Sequence, residues 1–199
     1  MRKLNLAALL VASALLGSPG VPVAGAATEC TAMGGVLEAD NICHVQASEP
    51  AYTMDLRFPV NYPDMQAITD YLTQNRDGFV NVAQMPGSRN LPYEMDATSQ
   101  SFKSAQTQSV VLKIFQDVGG AHPVTWYKSF TYNVPQGRPV TLDTLFAPGT
   151  KPMDAVFPIV QRELQRQTGL TQQISPGDGM DPSHYQNFAV TDDAVIFFF

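Results

Sequence analysis

The chain has 199 residues, twelve basic and eighteen acidic side chains, a formal charge of −6 at pH 7 and two cysteines. An acidic surface repels phosphate backbones, so nucleic acid is excluded as a partner. No basic cluster is present to hold anionic lipid headgroups, although charge alone does not exclude an apolar contact with lipid.

Arg2 and Lys3 precede an apolar stretch from Leu4 to Leu16, and a Gly/Pro-rich stretch then ends Ala24-Gly25-Ala26. A positive flank, a short apolar core and small residues at −3 and −1 make a secretory signal peptide cleaved after Ala26. A membrane anchor is the rival reading. It needs about 20 apolar residues, and Ser18, Pro19, Gly20 and Pro22 interrupt this run too soon. Residues 1–26 are therefore expected to be removed, leaving 27–199 as one secreted domain of about −8 charge.

Cys30 and Cys43 follow the cleavage point and are expected to pair as a structural disulfide in an oxidising compartment. Closing a loop of that size removes roughly 3 kcal/mol of unfolded-chain freedom on the chain-entropy model. There is no Cys-x-x-Cys spacing, and His44 alone does not complete a zinc site.

Tyr52, Met54, Leu56 and Phe58 alternate with other residues, predicting a half-buried strand. Asp64 opens a helix, and Met65, Ile68, Leu72, Phe79 and Val82 form its apolar stripe. Three strand-like runs follow, Tyr93 to Ser104, Ser109 to Asp117 and Val124 to Val134. Their short connections favour antiparallel neighbours, and the second run, apolar on both faces, is expected to be central.

After Val140 to Phe146 comes a second helix, roughly Met153 to Thr168. Its regular part is expected to begin near Phe157 because Pro158 lacks an N–H, and Gly169 serves as its cap. Ser175 to Ser183 reads as loop. Gln186 to Val190 and Ala194 to Phe199 read as a hairpin about Thr191-Asp192-Asp193. The run Val195-Ile196-Phe197-Phe198-Phe199 ends in an apolar strand, and an unprotected edge invites pairing. The expectation is a chain shortened relative to a longer natural product. The whole is an α+β domain, mainly antiparallel sheet with two helices packed on it.

His122, in Gly119-Gly120-Ala121-His122-Pro123, is the most suggestive site residue, since the glycines free the backbone to present an imidazole. Asp117, Trp126 and Tyr127 are its candidate neighbours, and at least one aromatic of this strand faces outward as an interaction anchor. A structural turn histidine is the simpler reading. No His-Glu-x-x-His, calcium loop, Gly-x-Ser-x-Gly elbow or phosphate-cradling glycine pattern occurs. No catalytic set, metal or cofactor is expected.

Three stretches carry a family resemblance. They are Gly-Gly-Ala-His-Pro at 119–123, Val-Phe-Pro-Ile-Val-Gln at 156–161 with Gln-Thr-Gly at 167–169, and Tyr-Gln-Asn-Phe-Ala-Val-Thr at 185–191 with Val195 to Phe199. Together with both cysteines they closely resemble the secreted mycobacterial immunogenic protein family, which includes a culture-filtrate antigen. Gly-Gly-Ala-His and Thr141 to Phe146 are also similar to a domain of unknown function in the extracytoplasmic part of lysozyme-sensing anti-sigma factors.

The resemblance implies an α+β fold with a β-grasp-like portion, export, T-cell antigenicity, no established enzyme activity and members that extend past Phe199. The sequence shows no membrane helix of the kind an anti-sigma factor needs. The resulting expectation is a secreted, monomeric, non-enzymatic immunogenic protein acting outside the cell on host or envelope components. The alternatives are a cell-envelope hydrolase using His122 and a peripheral lipid-binding module.

Overall fold

The computed structural model describes residues 24–169 and 174–199, so most of the expected signal segment lies outside the described residues. Helix α1 (Ala24–Ala32) leads into strand β1 (Val36–Leu37), a 3-10 turn (Ala39–Asn41) and strand β2 (Ile42–Ser48). Cys30 in α1 and Cys43 in β2 are joined by a disulfide, and both are fully buried. Gly35 makes this junction fit. A Cβ there would stand 2.7 Å from the Cys43 sulfur and 2.9 Å from that of Cys30.

Strand β3 (Tyr52–Pro59) pairs antiparallel with β2, and its alternation buries Met54, Leu56 and Phe58 on one face. Helix α2 (Met65–Ala83) crosses from β3 to strand β4 (Tyr93–Lys103), which lies parallel to β3. This hairpin, crossover helix and parallel pair form the β-grasp-like portion. Met65, Ile68, Leu72 and Phe79 of α2 are buried as their spacing requires. Val82, in contrast, is 38% exposed, and Ala83 takes its place against the core.

Strands β5 (Thr107–Asp117) and β6 (Val124–Asn133) continue antiparallel, and the short β7 (Arg138–Pro139) ends a seven-stranded sheet in order β1 to β7. One face packs on α2 through Leu56, Phe58, Met95, Leu112 and Ile114. At the β1 to β4 end the opposite face is polar. The period of two along each strand produces both faces.

The remaining elements build a second, smaller cluster. Helix α3 (Leu142–Leu145) is one turn closed by a capping box between Thr141 and Thr144. Helix α4 (Pro152–Thr168) starts five residues before the expected Phe157 and runs through Pro158. Pro152 at its first turn suits a position where the N–H has no partner and so starts the helix early, while Pro158 removes one backbone bond from the interior of a long helix. Gly169, at φ +69°, ends it in the left-handed region.

The stretch expected as loop instead holds two short helical turns, α5 (Pro176–Gly179) and a 3-10 turn (Pro182–Tyr185). Both begin with a proline behind a capping side chain, which composition alone reads as loop. Strands β8 (Phe188–Val190) and β9 (Val195–Phe197) form the expected hairpin. Leu142, Met153, Tyr185 and Phe188 are the buried centre of this cluster. Only α2 of the two long helices packs on the main sheet; α4 serves the second cluster.

Gly35→Ala is expected to destabilise the domain by about 1–3 kcal/mol, because the added methyl meets packed sulfur. Gly78→Ala meets nothing within 4 Å in the interior of α2 and should stabilise by about 0.5–1 kcal/mol. Urea midpoints of the two variants should move in opposite directions.

Candidate functional site

The second cluster carries a largely apolar depression. Helix α4 turns Val156, Val160 and Leu164 toward strand β9, and Tyr127 of β6 and Phe146 complete the wall with Phe197. The space holds about 560 Å³, within the usual range for a small-ligand site. Its other polar side chains are Glu163 and Gln167.

Glu163 accepts from Arg166 one turn on and, at 2.9 Å, from Gln167. The Arg166 bond, then the Gln167 amide, hold its carboxyl down to about 2. A second depression of about 540 Å³ shares Phe146 and is lined by Lys151, Met153, Met180 and Pro182.

Beside these depressions lies the 175–185 turn. Ser175 caps α5, its hydroxyl accepting from the Asp178 N–H at 3.1 Å and donating to the Asp178 carboxylate at 2.7 Å. The imidazole Nδ1 of His184 is 2.9 Å from the Asp178 carbonyl oxygen. Asp181 accepts from the Ser183 N–H at 2.8 Å, and that bond, with the charge of His184, lowers its carboxyl.

The turn is fixed from beneath. Buried Tyr185 donates its hydroxyl to the Gly179 carbonyl at 2.5 Å, and its ring meets those of Phe197 and Phe199 edge-on. Gly179 lies against the Phe157 ring so closely that a Cβ would collide with it.

The residues expected to gather around His122 are spread over the sheet. His122 is exposed on the β5–β6 turn, without a hydrogen bond to a described residue. The Asp117 carboxylate accepts from the Gly119 N–H at 2.9 Å, closing that turn. Trp126 faces α2 and donates its indole N–H to the Tyr71 hydroxyl at 2.8 Å. Tyr127 points to the opposite face, where its ring packs on Phe198. Of these four, only Tyr127 lines the apolar groove.

The remaining histidine, His44, is enclosed on the open sheet face. Its Nδ1 lies 2.9 Å from Glu38 and its Nε2 3.2 Å from Asp55, with Arg57 bridging the same two carboxylates. Nearby, Glu94 is raised, chiefly by burial and then by Asp96 and Asp117. Among the described residues no group of His, Cys, Asp and Glu is disposed to hold a metal ion. No helix among them is long and apolar enough to cross a membrane.

The Ser175, Asp178 and His184 cluster is absent from the expected site. Its signal was present: Ser175-Pro176-Gly177-Asp178 is a helix-start motif, with a capping serine, proline at the first position and an acid at the third.

Residues 143–199 match the family described as a protein of unknown function, DUF3298. That segment contains α4, the 175–185 turn and the β8–β9 hairpin. Over 195 residues the chain is 44% identical to the immunogenic proteins MPB64 of Mycobacterium bovis and MPT64 of Mycobacterium tuberculosis, covering 96% of this chain and 85% of theirs. The chain belongs to this mycobacterial immunogenic protein family.

It is also 59% identical over 203 aligned residues to a Mycobacterium tuberculosis protein named Esterase Rv3036c, covering all of this chain and 88% of that one. This corrects the expectation of a non-enzymatic protein. That expectation rested on missing nucleophile and metal motifs and on the family resemblance, whereas a catalytic set is defined by geometry and recurs on unrelated folds without a shared local motif. Solved structures of DUF3298 proteins from Pseudomonas aeruginosa and Bacteroides fragilis have TM-scores of 0.46, at 12% and 14% identity. Each comparison covers 82% of this chain, with 82% and 83% of theirs.

The Glu163 pair gives a direct electrostatic check. Its carboxyl is depressed in the folded state, so the contribution of the pair is full above the ordinary value of 4.5 and fades as pH falls toward about 2. In Arg166→Ala the Glu163 carboxyl, followed by NMR titration, should move up toward 4.5.

Proposed function

We propose that this chain is exported and hydrolyses carboxylic esters outside the cell, with the acyl part of the substrate lying along the groove between α4 and β9. The observation that carries this reading is the end-to-end likeness, at 59% identity, to a protein named an esterase. Apolar walls and a volume of about 560 Å³ suit an acyl chain, and every lining residue of the groove except Tyr127 falls within the segment that the family match covers.

Export is supported by the basic, apolar and small-residue order of residues 2–26 and by the buried Cys30–Cys43 disulfide, a bond that persists in oxidising compartments. The names of MPB64 and MPT64 support the further reading that host or envelope components meet this protein and that the host's immune system recognises it. The two readings are compatible, since an exported enzyme is an accessible antigen.

Purified protein spanning 27–199 should release p-nitrophenol from p-nitrophenyl esters with saturation kinetics, and acyl chains longer than acetyl should lower KM. Release no faster than in buffer across the acyl series would end the ester-hydrolase reading.

A further inference from the structure

We propose that His184 is the general base of this ester hydrolysis, an inference that rests on the ester-hydrolase reading. Three histidines are available, and the geometry separates them. Both ring nitrogens of His44 lie beside carboxylates, 2.9 Å from Glu38 and 3.2 Å from Asp55, and Arg57 covers the ring, so neither nitrogen is free to take a proton from a substrate. His122 is exposed on a turn where no described partner fixes its orientation or tautomer.

His184 differs from both. Its Nδ1 lies 2.9 Å from the Asp178 carbonyl oxygen, a group that only accepts, so Nδ1 carries the proton in the neutral ring and the Nε2 lone pair is left available. The ring is exposed, yet the turn that carries it is held by the Ser175 cap, by the Tyr185 hydroxyl on Gly179 and by Gly179 against Phe157.

The placement fits the substrate class. Tyr185, the next residue, packs on Phe197 and Phe199 of the groove, and Pro182 and Met180 line the depression that joins it at Phe146. A neutral ester of an apolar acid would lie with its chain among the aromatics and its carbonyl toward the 175–185 turn.

In the step proposed, Nε2 accepts a proton from a water molecule as the water oxygen bonds to the ester carbonyl carbon. The carbon–alkoxy bond then breaks, the imidazolium returns the proton to the departing alkoxide, and the products are a carboxylic acid and an alcohol.

The test uses the 27–199 chain and p-nitrophenyl butyrate. His184→Ala and His184→Gln should each lower kcat by about 10²–10⁴-fold with KM nearly unchanged, and the acid-side fall in wild-type kcat/KM should vanish from their pH profiles. His122→Ala should stay within threefold of wild type. Circular dichroism and thermal melting identify a variant that has lost its fold, in which case the wild-type pH profile decides, and a flat profile from pH 5 to 9 overturns the proposal. Wild-type turnover with both His184 variants within threefold also overturns it while leaving the ester-hydrolase reading standing. Absence of wild-type turnover ends both.

Discussion

The position of everything that concerns function depends on a set of hydroxyl bonds between the main sheet and strand β8. The two inward-facing backbone groups of Phe188 go to side chains: its N–H donates to Ser129 Oγ at 2.8 Å and its carbonyl accepts from Thr131 Oγ1 at 3.0 Å. The Val190 N–H donates to Ser109 Oγ at 3.2 Å, and Asn187 Oδ1 accepts from the Ser129 N–H at 3.1 Å. Strand β8 thus lies across the face of β5 and β6 with its backbone satisfied by serine and threonine, where a ladder would have extended the sheet. Ser109 and Thr131 are among the few buried polar residues of the chain, and this is why they are polar.

The clamp divides the molecule's work. On one side, α2, the disulfide and the sheet form a core whose packing is set by the alternation of the strands. On the other, a smaller cluster seats α4, the 175–185 turn and the hairpin, so that a groove opens between α4 and β9 without disturbing the main core. Such a division lets the groove change its lining while the scaffold stays fixed. It also agrees with a family match that begins at residue 143 and includes α4, the 175–185 turn and the hairpin.

Much of the scaffold was legible in the sequence because period-two and period-3.6 patterns state directly which residues are buried. The α2 stripe, the central β5 and the terminal hairpin follow from spacing alone, and the disulfide from compartment and cysteine count. Val82 and Ala83 show the resolution of such reading, since one residue of rotation at a helix end decides which is covered. The site was less legible. His122 drew notice through its glycines, yet a turn glycine answers to backbone geometry first: Gly119, at φ +68°, would bring a Cβ to 2.7 Å from the Arg89 carbonyl. Asp117 and Trp126 are likewise engaged, one with the turn and one with Tyr71. Ser109, Ser129, Thr131 and Asn187 look unremarkable in sequence because their partners lie 57 to 81 residues away.

Hydroxyl groups of β5 and β6 hold the second cluster in place. Amide hydrogen exchange on the Ser109→Ala, Ser129→Ala double variant, which removes the acceptors of both the Val190 and the Phe188 N–H groups, tests this most directly. Protection should fall at Phe188 and Val190 and through β9 while the amides of β3 and β4 exchange as in the parent protein. Unchanged protection at Phe188 and Val190, or an equal loss throughout the sheet, would mean that these hydroxyl groups do not hold β8.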